Sequence, residues 1–357
     1  MNMKSVLLLR IMLFAMASFI SPYGFGQTAL SYEYNGVRVG DSIRKQQVEY
    51  FYSGAEGQNA IWDISDLHFI KEYPVEFCCD SDSVMLYEVS PEQISKYSFS
   101  HDSLLLVGME DPLKRVDYAQ PIAMLVYPFE YGDSFSSHYS GKGRYCLTHL
   151  IEAEGDVNIE ADGYGMLVLS ENDTLKNVIR IHSTRTGSLY MHHENDSSEI
   201  ARSRMKQEIE ERFCWYAKGY RYPVLETLST SYYSNMDLVS CVQSAFYLPL
   251  DEQHKLNDEK NDSIQHADSI TNQPDIIHYN LTNNEGNIKL HYSLSENATI
   301  TLMVCNHRGM TYRRIHFEKT AGDGYENNID VSGLPADTYI LYINVNGKVY
   351  SEKVNVR

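Results

Sequence analysis

The stretch Gly165–Arg185, GMLVLSENDTLKNVIRIHSTR, holds two apolar runs separated by a short polar segment. The runs GMLVLSE and NVIRIHSTR are rich in the aliphatic and β-branched residues that strands prefer. The intervening ENDT supplies Asn, Asp and Thr, whose short side chains bond to nearby backbone amides and favour turns. This stretch therefore predicts two antiparallel strands joined by a turn.

The same pattern of short apolar runs and turn segments extends from Tyr32 to Leu250. The 28 tyrosines, with many Val, Ile and Thr residues, favour strands over helices. We predict an all-β protein in which residues 28–250 form a larger antiparallel β-sandwich or barrel-like domain. The other runs are SVMLYEV, KYSFSH, SLLLVGME, AMLVYPF and MDLVSCVQSAFYL, with turn segments such as HDS, EDP and GKG between them.

One segment of this region, Ser197–Phe213, is rich in helix-forming residues. Its second half also places Met205 and Ile209 at positions of one parity, as a strand would. We expect a short helix or loop first, and then a strand from Glu208 to Tyr216.

The composition changes abruptly after Leu250. Residues 251–275 contain seven acidic and two basic residues and few large apolar ones. Such a segment buries too little apolar surface to offset the conformational entropy that is lost when a chain becomes ordered. We predict that residues 251–278 are an acidic, flexible linker.

The first residues have the features of a secretory signal peptide. Lys4 and Arg10 precede the apolar run Ile11–Ile20, and small residues follow near Gly26. We predict a signal peptide over residues 1–26 and an exported protein, located in the medium, at the cell surface or in the periplasm. No later run reaches the length of about 18 apolar residues that a membrane helix needs, so no membrane span is expected.

The mature chain is strongly acidic. Removing Lys4 and Arg10 from the 30 basic residues leaves 28 against 48 acidic residues. Such a negative surface repels phosphate backbones, so nucleic acid is not an expected partner.

The cysteines give little information about chemistry. Their spacing fits no zinc pattern, and six in a chain of this length are too few for a disulfide-built scaffold. Export permits a disulfide or two, and the pairing stays open. The six are Cys78, Cys79, Cys146, Cys214, Cys241 and Cys305.

Residues 279–357 form a second module by their pattern. Polar and apolar residues alternate with a period of two in runs such as NIKLHYSL and TYILYINVNG. The module has eight acidic and eight basic residues, so the excess negative charge lies in the preceding part of the chain. About 80 residues in six or seven strands predict a small immunoglobulin-like sandwich.

This C-terminal module resembles a known family. The matching residues are ATITLMVCNHRGMTYRR, IDVSGLPADTYILYINVNGK and the terminal SEKVNVR. They are similar to the C-terminal sorting domain of the type IX secretion system of Bacteroidota, with Asp337 at a position where that family usually has glycine. The resemblance implies secretion machinery or cell-surface components as partners of residues 279–357.

The larger domain also resembles uncharacterised secreted proteins of the same bacteria. The similar segments include LLLVGMEDP, YPFEYGDSFSSHYSGKGRY and WYAKGYRYPVLET. This resemblance implies location and architecture, and it implies no activity.

Two copies of Gly-Asp-Ser raise the question of a serine esterase. They end at Ser42 and Ser134, and Asp251 and His254 have the spacing of the base and its orienting carboxylate in one esterase family. Such a nucleophile follows an apolar strand and precedes a helix. Here polar or strand-like sequence surrounds both copies, so we interpret them as turns before strands.

Two further groups of residues raise the question of a metal site. Glu160 precedes the glycine-rich segment ADGYG and Asp162 lies within it, but calcium needs six to eight oxygen ligands, and a hairpin or bulge with glycines at positive φ explains the segment. His192, His193 and Glu194 are consecutive, and adjacent residues of a strand point to opposite faces. We predict no metal, no cofactor and no catalytic residue.

The aromatic residues leave one binding hypothesis open. Trp62 and Trp215, with the tyrosines, could form a platform for stacking on a glycan, and they could equally pack a sheet. The prediction from sequence is a secreted or cell-surface, non-enzymatic protein of unknown ligand. The alternatives are an exported serine esterase and a carbohydrate-binding surface protein.

Overall fold

The computed structural model describes residues 29–80, 85–170, 173–193, 195–196, 205–270, 276–284, 286–306, 310–346 and 348–356. The predicted signal peptide lies outside the described residues. Within the described ranges, no helix combines the length and the apolar character needed to cross a membrane.

The larger domain is one sheet of 13 strands. Neighbouring strands are antiparallel, and the sheet closes on itself because β9 pairs with both β8 and β10. Only β2 stands outside this closed ring, parallel to one end of β9. The strands are β1 Ser42–Val48, β2 Gly57–Asp63, β3 Phe69–Cys79, β4 Leu86–Val89, β5 Ile94–Phe99, β6 Ser103–Glu110, β7 Lys114–Val126, β8 Ser134–Tyr145, β9 His149–Ser170, β10 Asp173–His192, β11 Lys206–Ala217, β12 Leu225–Ser234 and β13 Asp237–Tyr247. The predicted antiparallel barrel-like domain is confirmed.

The two longest strands are the pair predicted from Gly165–Arg185. β9 and β10 pair from Leu150 opposite His192 to Ser170 opposite Asp173. The strand predicted over Glu208–Tyr216 is also confirmed, as part of β11. The long strands form one tall side of the ring, whereas β4 and β5 are short.

The interior of the ring is filled by alternate residues of its strands, as the period of two requires. Fully buried examples are Ile43, Leu86, Ile159 and Ile179, which lie on four different strands. These side chains belong to one apolar core that extends around the ring.

A connection crosses the outside of the ring between β1 and β2, and a buried arginine holds it. Arg180, on β10, is 2% exposed. Its Nε and Nη2 each donate to one carboxylate oxygen of Asp162 at 2.8 Å, and Nη1 donates to the carbonyl oxygens of Ser53 and Gly54. The guanidinium also lies within 6 Å of the Trp215 ring centre, at 5.9 Å.

The ADGYG segment lies inside β9, where Asp162 is the extra residue of a bulge opposite Arg180 and Ile181. The predicted bulge is therefore confirmed. The predicted positive φ is wrong for Gly163 and Gly165, which do not have it. These glycines serve a close approach instead, because a Cβ at Gly165 would lie 1.9 Å from the carbonyl oxygen of Ala60 on β2.

The segment predicted as a flexible linker forms two helices over most of its length. A short helix α1, Tyr32–Asn35, precedes the sheet, and α2, Leu250–His254, and α3, Glu259–Ile270, follow it. Residues 271–275 lie outside the described part of the chain.

Polar contacts fix these helices against one end of the ring. Arg221 donates to both carboxylate oxygens of Asp258, at 2.6 and 3.1 Å, and both residues are buried. Gln253 accepts a hydrogen bond from the backbone N–H of Tyr222 and donates one to its carbonyl oxygen. The expectation from composition failed because buried ion pairs and amide hydrogen bonds, rather than apolar area, order this segment.

The C-terminal module is a sandwich of two antiparallel sheets, with strand orders β14-β15-β18 and β17-β16-β19-β20. This confirms the predicted immunoglobulin-like module. Tyr339 is 2% exposed and donates from its hydroxyl to the carbonyl oxygen of Pro335 at 3.0 Å, as in the tyrosine corner of such sandwiches. The strands are β14 Ile277–Asn284, β15 Asn287–Leu294, β16 Ala298–Cys305, β17 Thr311–Lys319, β18 Gly322–Asp330, β19 Asp337–Val345 and β20 Lys348–Val356.

The two domains meet at β2. A small apolar cluster joins Ile61 and Met166 of the larger domain to Met303 of the C-terminal module. Beside it, the buried Tyr342 donates from its hydroxyl to Asp63 Oδ2 at 2.6 Å. The strand that Arg180 helps to fasten therefore also carries the contact between the domains.

We expect Gly165→Ala to destabilise the larger domain by about 3 kcal/mol, because the new methyl group forces β2 away from β9. Gly132→Ala is the matched control, since a Cβ there meets nothing within 4 Å and the cost is that of a left-handed backbone, about 1 kcal/mol. Urea unfolding of both variants measures the difference. An equal loss of unfolding free energy in the two variants would contradict the close-approach explanation.

Candidate ligand-binding cavity

A cavity of about 70 Å³ lies inside the ring, near the end that α2 and α3 cover. That volume is enough for several water molecules or a small organic group. Part of its wall is apolar and part is charged. The apolar and aromatic lining residues are Val37, Phe77, Leu104, Met124, Leu125, Tyr127, Ile181, Tyr216 and Tyr222.

The charged part of the wall comes from strands that are far apart in sequence. Lys45 lies on β1, Arg212 on β11 and Glu226 on β12. Cys214 is the register partner of Glu226, so both side chains project from the same face of the sheet. Glu88 and Tyr97, on β4 and β5, also line this wall. Arg221, which is paired with Asp258, is a third cation of the lining.

One carboxylate joins the two cations. Lys45 Nζ donates to Glu226 Oε1 at 2.5 Å, and Arg212 Nη2 donates to Glu226 Oε2 at 2.6 Å. On the neighbouring wall, the Tyr97 hydroxyl donates to Glu88 Oε2 at 2.9 Å. Lys45 and Glu226 are 8% and 6% exposed, so water screens their interaction little.

This environment shifts the protonation equilibria of the site. Burial alone would raise the pKa of Glu226, but Lys45 and Arg212 outweigh it and lower that pKa to about 2. Burial raises the pKa of the Cys214 thiol to about 11. Burial also raises the pKa of Tyr97 well above its usual value. At neutral pH the wall therefore holds fixed charges of both signs beside a protonated, weakly nucleophilic thiol.

A second polar cluster continues the charged lining along the ring. Arg185 donates through Nη2 to Glu208 Oε1 and Glu210 Oε2, both at 2.6 Å. Tyr118 and Tyr139 lie beside it around a smaller cavity of about 30 Å³. Because the charged groups of this cluster largely bind one another, the larger cavity is the candidate site.

Both Gly-Asp-Ser copies are turns that lead into strands, as predicted. Gly40 and Gly132 have φ of 93° and 91°, and Ser42 and Ser134 begin β1 and β8. The two turns make equivalent backbone hydrogen bonds to a neighbouring strand. Gly40 N–H donates to the carbonyl oxygen of Phe77 on β3, and Gly132 N–H donates to the carbonyl oxygen of Ala161 on β9. Among the described hydrogen bonds, none joins either serine to a histidine.

The other residues proposed from sequence lie apart from the cavity. Asp162 is the partner of Arg180, and His192 ends β10. Glu194 lies outside the described residues. In the part of the chain that is described, no three His, Cys, Asp or Glu side chains converge as a metal site would require. Asp251 is exposed on α2, close to Lys255.

The two tryptophans are not available for stacking on a glycan. Trp62 is 4% exposed and Trp215 is fully buried, and their rings pack edge to face with centroids 6.1 Å apart. They form the outer apolar cluster beneath the connection that Arg180 holds.

Sequence reasoning missed Lys45, Arg212 and Glu226. A signal for Lys45 exists in SIRKQQV, where it shares the parity of the buried Ile43. A charged residue at an inward position of a strand needs a buried partner. The partner lies about 180 residues away, and no local pattern identifies it.

The comparisons with known proteins leave the site to be interpreted on its own geometry. No protein family matches this chain, and no curated protein matches it.

Glu226→Gln tests the buried charge network. Because the folded pKa of Glu226 is about 2 against an ordinary 4.5, its ionised form contributes about 3 kcal/mol above pH 4.5, and this contribution is lost as the pH falls from 4.5 to 2. We expect the variant to lose at least that much unfolding free energy at pH 7, since two cations are left buried without a partner, and to show a flatter dependence on pH.

The control is Glu92→Gln, which removes the exposed partner of Lys71, 3.0 Å away. Its unfolding free energy should stay within about 1 kcal/mol of the parent. Urea unfolding at several pH values measures both variants. A Glu226→Gln protein as stable as the control would contradict the network.

Proposed function

We propose that this chain is a secreted or cell-surface binding protein without enzymatic activity, and that the ring interior binds a small zwitterionic molecule of about the size of glycine. The observation that carries the proposal is the wall of a cavity of about 70 Å³, in which Lys45 and Arg212 face the same space as Glu226 and Glu88. A molecule with both a carboxylate and an ammonium group complements these charges, and the volume limits it to a few non-hydrogen atoms.

The charges of the wall match a ligand of zero net charge. Lys45 and Arg212 balance Glu226 and Glu88, and Asp258 neutralises Arg221, the third cation of the lining. A simple anion or cation would therefore leave one excess charge in a buried site. Lys45 has three N–H donors and Arg212 has five, and the bond to Glu226 uses one donor of each. The remaining donors can donate hydrogen bonds to a ligand carboxylate, and Glu88 can accept hydrogen bonds from a ligand ammonium group.

Binding rather than catalysis is supported by the state of the candidate nucleophiles. The Cys214 thiol is protonated at neutral pH, since burial raises its pKa to about 11. Ser42 and Ser134 begin strands after tight turns, and both are exposed. Among the described hydrogen bonds, neither serine is joined to a histidine, and the Cys214 thiol has Glu226 as its partner, whose pKa of about 2 makes it a weak base.

Ligand-observed NMR with three probes tests the proposal: glycine, acetate, which has only the carboxylate, and methylamine, which has only the ammonium group. We expect glycine to bind at least about tenfold more tightly than either probe that lacks one charge. If no probe binds the folded protein, or if all three bind equally, the proposal is wrong.

Two variants connect the binding to the cavity. Lys45→Met removes a cation that binds the ligand carboxylate, and Leu104→Trp fills the cavity with an indole ring; both should abolish the glycine signal. Lys71→Met is the matched control, because Lys71 is half exposed and pairs with a surface glutamate. Circular dichroism confirms that each variant is folded. Glycine binding that survives Leu104→Trp in a folded protein would place the ligand elsewhere.

We further propose that residues 279–357 direct the chain to the cell surface through type IX secretion. The proposal is supported by the sequence resemblance and by the separate immunoglobulin-like fold of this module. In a bacterium with this secretion system, the full chain should reach the surface or the medium, whereas a chain truncated after Asp275 should stay in the periplasm. Fusion of residues 276–357 to a periplasmic reporter should export the reporter. An unchanged location of both the truncated chain and the reporter would overturn this role.

A further inference from the structure

We propose that Tyr97 positions Glu88 so that its carboxylate selects a ligand with an ammonium group, and that the cavity therefore distinguishes glycine from glycolate. Glycolate has the size of glycine and carries a hydroxyl in place of the ammonium group. This inference rests on the binding function proposed above and names the group that gives the site its specificity.

Glu88 is a carboxylate of the cavity wall that is not paired with a cation. It lies on β4 and lines the cavity together with Lys45 and Arg212. Both of these cations bind Glu226 instead. Among the described ion pairs, none includes Glu88, and its described side-chain hydrogen bond comes from the Tyr97 hydroxyl. The carboxylate can therefore accept further hydrogen bonds from a ligand.

Tyr97 holds this carboxylate in place. Its hydroxyl donates to Glu88 Oε2 at 2.9 Å, so Oε1 keeps its lone pairs for another donor. Tyr97 is 6% exposed and packs in the main apolar core, which restricts the movement of its hydroxyl. Burial raises the pKa of Tyr97 well above its usual value, so the phenol stays protonated and remains a donor at neutral pH.

The hairpin that carries both residues is fixed close to them. Ser95, on β5, is the register partner of Glu88, so the two side chains lie on the same face of the sheet. The buried Ser95 accepts a hydrogen bond from Gln93 Nε2 at 2.7 Å. Gln93 belongs to the β4–β5 turn, where its backbone N–H donates to Ser90 Oγ. The turn and the strand pair therefore keep Glu88 and Tyr97 in register.

Lys45 is the competing partner of Glu88. Burial lowers the pKa of Lys45, but Glu226 and then Glu88 outweigh burial and raise that pKa, so the two side chains are close enough to interact. Without the hydrogen bond from Tyr97, the Glu88 carboxylate would turn towards Lys45. Because Lys45 has three donors, such an ion pair would remove the acceptor for a ligand ammonium group and still leave a donor for a ligand carboxylate.

The charge of Glu88 gives the selection its direction. A ligand ammonium group beside Glu88 pairs with it, and the site keeps a net charge of zero. The hydroxyl of glycolate can donate to Glu88, but glycolate brings one uncompensated negative charge into a buried site. We expect the cavity to favour glycine over glycolate at least about tenfold.

The experiment compares the dissociation constants of glycine and glycolate for the full chain at neutral pH, measured by ligand-observed NMR. Tyr97→Phe removes the hydroxyl and keeps the aromatic ring in the core. We expect this variant to bind glycine at least about fivefold more weakly and to bind glycolate almost as the parent does, so that the preference falls. A purely structural role of Tyr97 would change both constants by the same factor.

Glu88→Gln separates the charge of the carboxylate from its position. This variant leaves Lys45 and Arg212 with one carboxylate, so the site has an excess positive charge, and glycolate should bind more tightly than glycine. Tyr97→Phe keeps every charge and should reduce the preference for glycine without reversing it. A Glu88→Gln protein that still prefers glycine would show that Glu88 does not select the ammonium group.

Tyr73→Phe is the matched control. It removes a tyrosine hydroxyl that donates to Ser90 Oγ of the same turn at 3.0 Å, and Tyr73 does not line the cavity. Both dissociation constants should stay close to those of the parent, and circular dichroism confirms that each variant is folded.

The outcomes separate this inference from the function on which it rests. A parent that binds no glycine would overturn both. A parent that binds glycine and glycolate equally would overturn the selection of the ammonium group. A parent that prefers glycine, with the same preference in folded Tyr97→Phe, would overturn the positioning role of Tyr97 alone.

Discussion

The buried pair of Arg180 and Asp162 is the contact on which the arrangement of the two domains depends. One guanidinium binds a carboxylate of β9 and two carbonyl oxygens of the connection that crosses outside the ring. That connection delivers β2 to the end of β9, where glycine allows the two backbones to approach closely. The C-terminal module then packs against β2 through Tyr342 and Asp63. Removal of the arginine would leave Asp162 as an uncompensated buried charge, a change that typically costs about 3–5 kcal/mol.

Charge inside the ring has a different character. Arg180 is enclosed by rings and carbonyl groups, so its interactions are complete. Lys45, Arg212 and Glu226 instead border an open space, and the two cations keep unused donors. A charged side chain that points into the ring does not stabilise the fold unless groups of opposite charge lie beside it. Here the charged groups come from three strands. Arg180 therefore belongs to a structural ion pair, whereas the charged groups that line the cavity can bind a ligand in place of a protein partner.

Much of the fold could be predicted from the sequence because strand periodicity is a local property. The strands β9, β10 and β13 can be recognised from apolar runs in the sequence. Each Gly-Asp-Ser copy favours a turn through the properties of its own three residues. The helices over residues 250–270 could not be predicted, since Arg221 and Asp258 meet only in the folded chain. The cavity was missed for the same reason. Composition reports how much apolar surface a segment can bury, and it does not report which charges find partners.

The ring also imposes an order on its own assembly. Its first strand, β1, and its last, β13, are joined by three register pairs between residues about 200 positions apart. Contacts so distant in sequence form slowly. When the chain is synthesised from its N-terminus, β1 therefore has no β13 to pair with until nearly the whole domain has been made. Closure is the last event, and until then both terminal strands of the sheet have exposed backbone edges that other chains could join.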